Sequence, residues 1–136
     1  MSEAKKTGLQ VVVVTPEKTA LDVPADFVAL PLIDGEIGVL KDHAPTIGRL
    51  GFGEMRVRLQ NKTDHYYVDG GFMQIADNVV SVLTGRAMLV DELNAEEIRF
   101  RLEEAEAKSD AKGAEAALRR QTIDQAKAQL RILEKA

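Results

Sequence analysis

Residues 54–60 read Glu54-Met55-Arg56-Val57-Arg58-Leu59-Gln60, a strict alternation of apolar and polar side chains. Met55, Val57 and Leu59 point one way and Glu54, Arg56, Arg58 and Gln60 the other, as in a strand with one buried and one wet face. Downstream, Asn61-Lys62-Thr63-Asp64 reads as a turn, His65–Asp69 as the return strand, and Gly70-Gly71 as a stop. Phe72–Ala76 and Val79–Thr84 then form a hairpin about Asp77-Asn78, a pair suited to the left-handed conformations of tight turns. Upstream, Phe27–Leu32 is closed by Asp34-Gly35, and the β-branched run Val11–Val14 ends at Thr15-Pro16. Short strands with turn signals about every ten residues predict an antiparallel β-sandwich. It occupies residues 1–90, of which 1–8 form a polar tail.

The composition changes after Arg86. All four prolines, and every glycine except Gly113, lie before it. Residues 91–136 are rich in Ala, Glu, Lys, Arg, Leu and Gln, which favour helices. Asn94 followed by Glu97 has the spacing of a capping box with Asn94 as N-cap. Ile98, Leu102 and Ala105 share a helix face, Ser109–Gly113 is a break, and Ile123, Ala126, Leu130 and Leu133 form a second, narrow apolar stripe. The expected fold class is β + α, an antiparallel sandwich followed by an antiparallel two-helix hairpin.

Charge sorts the two helices. Residues 91–111 hold eight acidic and three basic side chains, whereas residues 112–136 hold three acidic and six basic. Apolar stripes this thin leave an isolated hairpin marginal, and marginal docking is what a conformational switch requires. The whole chain, at a net charge of −4, is a poor match for nucleic acid. With no cysteine there is neither a disulfide framework nor a thiolate metal site. His43 and His65 lack the spacing of a metal pair, and no phosphate loop or nucleophile motif is present, so no catalytic site, metal or cofactor is expected. The longest apolar runs, Val11–Val14 among them, fall far short of the ~20 residues a spanning helix needs, so membrane association is expected only through a partner.

Asp34-Gly35-Glu36-Ile37-Gly38 leading to His43-Ala44-Pro45 resembles the Gly-Glu-x-Gly-x-x-x-x-His-Ala-Pro stretch of the epsilon subunit of F-type ATP synthases. Gly70-Gly71-Phe72, followed by Asn78-Val79-Val80-Ser81-Val82-Leu83, is similar to two strands of that family, and residues 126–134 are similar to the end of its second helix. The resemblance covers nearly the whole chain in order. It implies a sandwich of about ten strands and a hairpin. It also implies a place in the central stalk, bound to the gamma subunit and resting on the c-subunit ring, on the cytoplasmic face of a bacterial plasma membrane. The hairpin would reach the alpha/beta catalytic head and restrain ATP hydrolysis. Residue by residue, Glu36 and His43 match positions at the c-ring and gamma interface. Arg119, Arg120, Lys127 and Arg131 match the part of the second helix that approaches the beta subunit.

Some members of that family bind ATP through Ile/Leu-Asp-x-x-Arg-Ala at the junction of sandwich and helices. The matching stretch here is Leu93-Asn94-Ala95-Glu96-Glu97-Ile98, with Asn94 in place of the Asp and Glu97 in place of the Arg. A carboxylate where a guanidinium would meet phosphate repels it, so no nucleotide binding is expected. Two other readings of the residues stay open at this point: a sandwich adaptor with a dimerising hairpin outside any ATPase, and a small enzyme on a sandwich scaffold.

Overall fold

The computed structural model describes residues 8–135, so the expected polar tail lies, apart from Gly8, outside the described residues. The chain divides into two compact units, residues 1–89 and 90–136. Among the described residues the first holds eight strands: β1 (Leu9–Val14), β2 (Thr19–Ala25), β3 (Phe27–Leu32), β4 (Gly35–Leu40), β5 (Thr46–Leu59), β6 (Lys62–Ala76), β7 (Val79–Leu83) and β8 (Ala87–Leu89). They hydrogen-bond in the order β2-β1-β7-β6-β5-β3-β4, with β8 added to β6. All pairs are antiparallel except β1 with β7, which is parallel.

The expectation of about ten strands is corrected to eight, because β5 and β6 each run without a break through both layers. The N-terminal half of β6 pairs with β8 at Tyr66–Val68, and its C-terminal half pairs with β7 at Phe72–Ala76. β5 follows β6 along its whole length, from Thr46↔Ile75 to Leu59↔Lys62. One layer is therefore β4, β3, the second half of β5, the first half of β6, and β8. The other is β2, β1, β7, the second half of β6, and the first half of β5. Gly70-Gly71 marks the exchange of neighbours rather than a stop, and both glycines have positive φ, 73° and 105°. Side-chain parity inverts there: Tyr66 and Val68 face the core before the exchange, with Tyr67 buried on the other side of the strand, and Met73 and Ile75 face the core after it.

The inward faces meet in one core of Leu9, Val11, Val13, Val80, Val82, Met73 and Ile75 from one layer and Val28, Leu30, Val39, Met55, Val57 and Val68 from the other. Met55 and Val57 are buried as the alternation requires, whereas Leu59, expected on the same face, is exposed at the end of the strand. The expected four-residue turn after Gln60 is shorter: β5 passes to β6 through Gln60-Asn61 alone. Gln60 takes φ 57°, and the Asp26 carboxylate accepts its backbone N–H at 2.6 Å. The Asp77-Asn78 turn has both residues at positive φ, the conformation that matches strand twist.

Tyr66 packs against this core, and burial, with a smaller contribution from Asp64, raises its phenol above the ordinary value of 10.0. The folded chain thus keeps the Tyr66 proton where the unfolded chain has lost it. Stability from this group is complete below pH 10 and falls as pH rises through the folded-state pKa. Urea unfolding compared between about pH 8 and about pH 11 is expected to show a smaller alkaline loss in Tyr66→Phe than in the parent; equal losses would refute the assignment.

The second unit begins with a 3₁₀ turn, Val90–Glu92, and continues as α1 (Ala95–Ala107) and α2 (Ala114–Lys135). Asn94 is the N-cap of α1: its backbone is extended and its side-chain oxygen accepts the Glu97 N–H at 3.2 Å. The break falls at residues 108–113, with Gly113 in the left-handed region at φ 62°. Ile98 and Ala105 are buried on α1, as their spacing predicts. On α2 the expected stripe is corrected. Of its four members only Ala126 is fully buried, together with Ala128, Gln129 and Ile132, while Ile123, Leu130 and Leu133 are half-buried. The buried positions combine two small alanines with the longer Gln129 and Ile132.

Candidate functional site

Glu36 lies near the start of β4, an edge strand. Arg56 on β5 reaches across β3 and holds both of its carboxylate oxygens, Nη1 to Oε2 and Nη2 to Oε1, each at 3.0 Å. The rung in line with Arg56 carries Ala29 on β3, and Ala29 in turn faces Gly38 on β4. Ala29, whose side chain is a single methyl, leaves the guanidinium a path over the sheet, while the Phe27 ring lies over Gly38. Glu54 sits on the other side of Arg56 at 3.7 Å, and its second oxygen meets His65 Nδ1 at 2.9 Å. The wet face of the 54–60 alternation thus becomes a chain of Glu36, Arg56, Glu54 and His65 over three strands. The Glu36 hydrogen bonds outweigh partial burial and raise the Arg56 pKa further, so the residue is a permanent cation.

His43 lies beyond the opposite end of β4, so the structure does not bring it together with Glu36. Its backbone N–H donates to Leu40 O at 3.2 Å, and its Nδ1 lies 2.8 Å from Ala44 O. A carbonyl oxygen only accepts, so Nδ1 carries the proton. The preceding Asp42, at φ 66°, donates its N–H to Asn78 Oδ1 at 2.6 Å, and Asn78 Nδ2 donates back to Asp42 Oδ1 at 3.2 Å. This exchange ties the β4–β5 loop to the β6–β7 turn.

Sequence reading missed a third feature. On the outer face of the β1-containing layer, Arg49, Phe72, Leu83 and Val14 face one another in register across β5, β6, β7 and β1. Phe72 is 55% exposed, Leu83 58%, and Ile47 on the same face 77%, so large apolar side chains stand exposed on this face beside the polar Arg49 and Gln74. The Arg49 guanidinium lies 6.0 Å from the Phe72 ring centre. Beside Leu83 and Val14 an apolar cleft of about 310 Å³ opens, lined by Pro16, Gly71 and Gly85 among others. The signal was present in Phe72 and Leu83, but which face they take depends on the parity inversion at Gly70-Gly71.

The four basic residues of α2 separate into two sets. Arg119 turns back onto the end of α1, donating from Nε to Ala105 O at 2.7 Å and from Nη2 to Glu106 O at 3.3 Å. It adds a second donor to the Ala105 carbonyl, which also accepts the Lys108 N–H, donates to the Glu106 carbonyl, and places a cation at the negative end of the helix dipole. Arg120, Lys127 and Arg131 are exposed and, seven and four residues apart, share one face of α2. Asn94 and Glu97, the altered positions of the ATP motif, are both engaged in the α1 cap. Among the described residues no cluster of three or more His, Asp or Glu could hold a metal ion, and no helix is long and apolar enough to cross a membrane.

Residues 8–90 match the family model for the ATP synthase delta/epsilon chain, beta-sandwich domain. An ATP synthase epsilon chain of Rhodopirellula baltica is 47% identical over 91% of this chain and 97% of its own length. That of Symbiobacterium thermophilum is 37% identical over 85% and 88%. Among solved structures, a chain of the Euglena gracilis mitochondrial ATP synthase, in an OSCP/F1/c-ring assembly, superposes with a TM-score of 0.78. It is 27% identical and the match covers 94% of this chain and 81% of that one. The chain belongs to the ATP synthase epsilon chain family, a non-catalytic subunit of the complex. Membership sets aside both the free-standing adaptor and the small enzyme.

Proposed function

We propose that this epsilon chain couples rotation of the c-subunit ring to the gamma subunit through its sandwich, and that its two helices regulate ATP hydrolysis at the alpha/beta head. The observation that carries the first half is the set of exposed apolar side chains Phe72, Leu83, Val14 and Ile47 on one sheet face. A surface of this kind on a soluble body marks a place where another protein sits, and a rigid shaft such as gamma is a suitable occupant. Glu36, in its charge chain, faces the polar loops of the ring, and His43 lies at the gamma side of the other end of β4. The face of Arg120, Lys127 and Arg131 supports an approach of α2 to an acidic surface of the beta subunit, with Arg119 joining only when α2 leaves α1. The subunit works on the cytoplasmic face of a bacterial plasma membrane, attached to it only through the complex.

The test is reconstitution of an epsilon-depleted complex with the whole chain or with residues 1–89. Both are expected to restore ATP-driven ion pumping. The shortened chain is expected to release hydrolysis by about fivefold or more, the low end of ordinary coupling between sites. Unchanged hydrolysis under all conditions would overturn the regulatory half, and failure of the whole chain to restore pumping would overturn the coupling half.

A further inference from the structure

The geometry points to Arg56 as a positioning residue that fixes the direction of the Glu36 carboxylate, so that this group meets the hydrogen-bond donors of a polar partner loop in one orientation. The inference rests on the proposed reading in which Glu36 faces the ring. A glutamate near the end of an edge strand otherwise samples several rotamers, and each must be frozen out when a partner docks. Here the fork of Arg56 holds both oxygens at 3.0 Å, the arrangement that fixes a carboxylate in plane as well as in distance. Arg56 is itself held from behind by Glu54, and Glu54 by His65, so the chain is anchored on β5 and β6, inside the sheet rather than at its edge.

Each carboxylate oxygen of Glu36 has a further lone pair beyond the one Arg56 uses. The group therefore stays an acceptor toward solvent while its orientation is set. The fitting partner is a loop offering N–H, guanidinium or ammonium donors at a fixed spacing. With His65 neutral, the four side chains carry one net negative charge, which suits such donors and repels an acidic loop.

Full-length variants rebuilt into an epsilon-depleted complex test this, with the chain concentration that half-restores ATP-driven ion pumping as the readout. Glu36→Gln and Arg56→Gln are each expected to raise that concentration about tenfold, and Arg56→Lys, which keeps the charge but loses the fork, by less. The exchange Glu36→Arg with Arg56→Glu rebuilds the ion pair with its carboxylate on the wrong strand. It is expected to regain the parent melting temperature while the raised requirement persists. Restored pumping in the exchanged variant would reduce Arg56 to a structural ion pair and overturn the proposal. A normal Arg56→Gln beside an impaired Glu36→Gln would also overturn it while leaving Glu36 at the interface. If both are normal, the interface reading falls with it. Melting curves of each isolated variant separate misfolding from lost contact.

Discussion

Gly71→Ala is expected to unfold the sandwich, or to leave it with only a fraction of its stability. A β-carbon at residue 71 would stand 1.9 Å from the backbone oxygen of Leu83 and 2.9 Å from its carbonyl carbon. Those atoms belong to the backbone of the neighbouring strand and cannot rotate away. The position also has φ 105°, outside the range of side-chain-bearing residues, which adds about 1–3 kcal/mol of strain. Relief requires β6 and β7 to part beside the rung where Phe72 faces Leu83. The combined cost is about 4 kcal/mol or more, a large part of the ~5–15 kcal/mol that holds a domain together. Gly70→Ala is the comparison. There φ is 73° and the nearest atom is an edge carbon of the Phe52 ring at 3.3 Å, which has room to shift, so a loss of about 1–2 kcal/mol is expected. Urea unfolding followed by circular dichroism measures both, and equal losses would contradict the assigned clash.

The second large effect is expected from charging the apolar sheet face. Phe72→Glu combined with Leu83→Glu changes two side chains that are more than half exposed, so the isolated chain should lose no more than about 1 kcal/mol of stability. Assembly is different. Two buried apolar anchors at an interface each contribute about 2 kcal/mol or more, and the carboxylates replacing them must lose water without partners. Incorporation into an epsilon-depleted complex should weaken by on the order of a hundredfold or more. Leu59→Glu, an exposed apolar residue at the end of β5, should assemble normally. Normal assembly of the doubly charged variant would remove this face from the interface.

Local periodicity made much of the architecture legible. The alternation of residues 54–60, the Asp77-Asn78 turn and the Asn94 cap all act over a few residues; the structure reproduces the turn, the cap and the alternation as far as Val57, while Leu59 at the strand end is exposed. What escaped was set at longer range. Gly70-Gly71 carries the composition of a stop, but hydrogen bonding to β5 on one edge continues through it, and only the neighbours on the other edge change. The inversion of parity that follows decides that Met73 faces the core and Phe72 faces outward. The Glu36–Arg56 fork joins residues twenty positions apart across an intervening strand, and no spacing rule connects them. The position of Arg119 depends on where α1 ends, which is known only once the helices are packed.

β5 and β6, of 14 and 15 residues, belong to both layers at once. In a sandwich whose layers touch only through side chains, a sideways load on one face can be relieved by slip across the core. Here the same load travels along two continuous peptide backbones, and slip would require breaking the hydrogen-bonded ladder between them. The two layers are therefore joined by main chain as well as by the packing of their side chains.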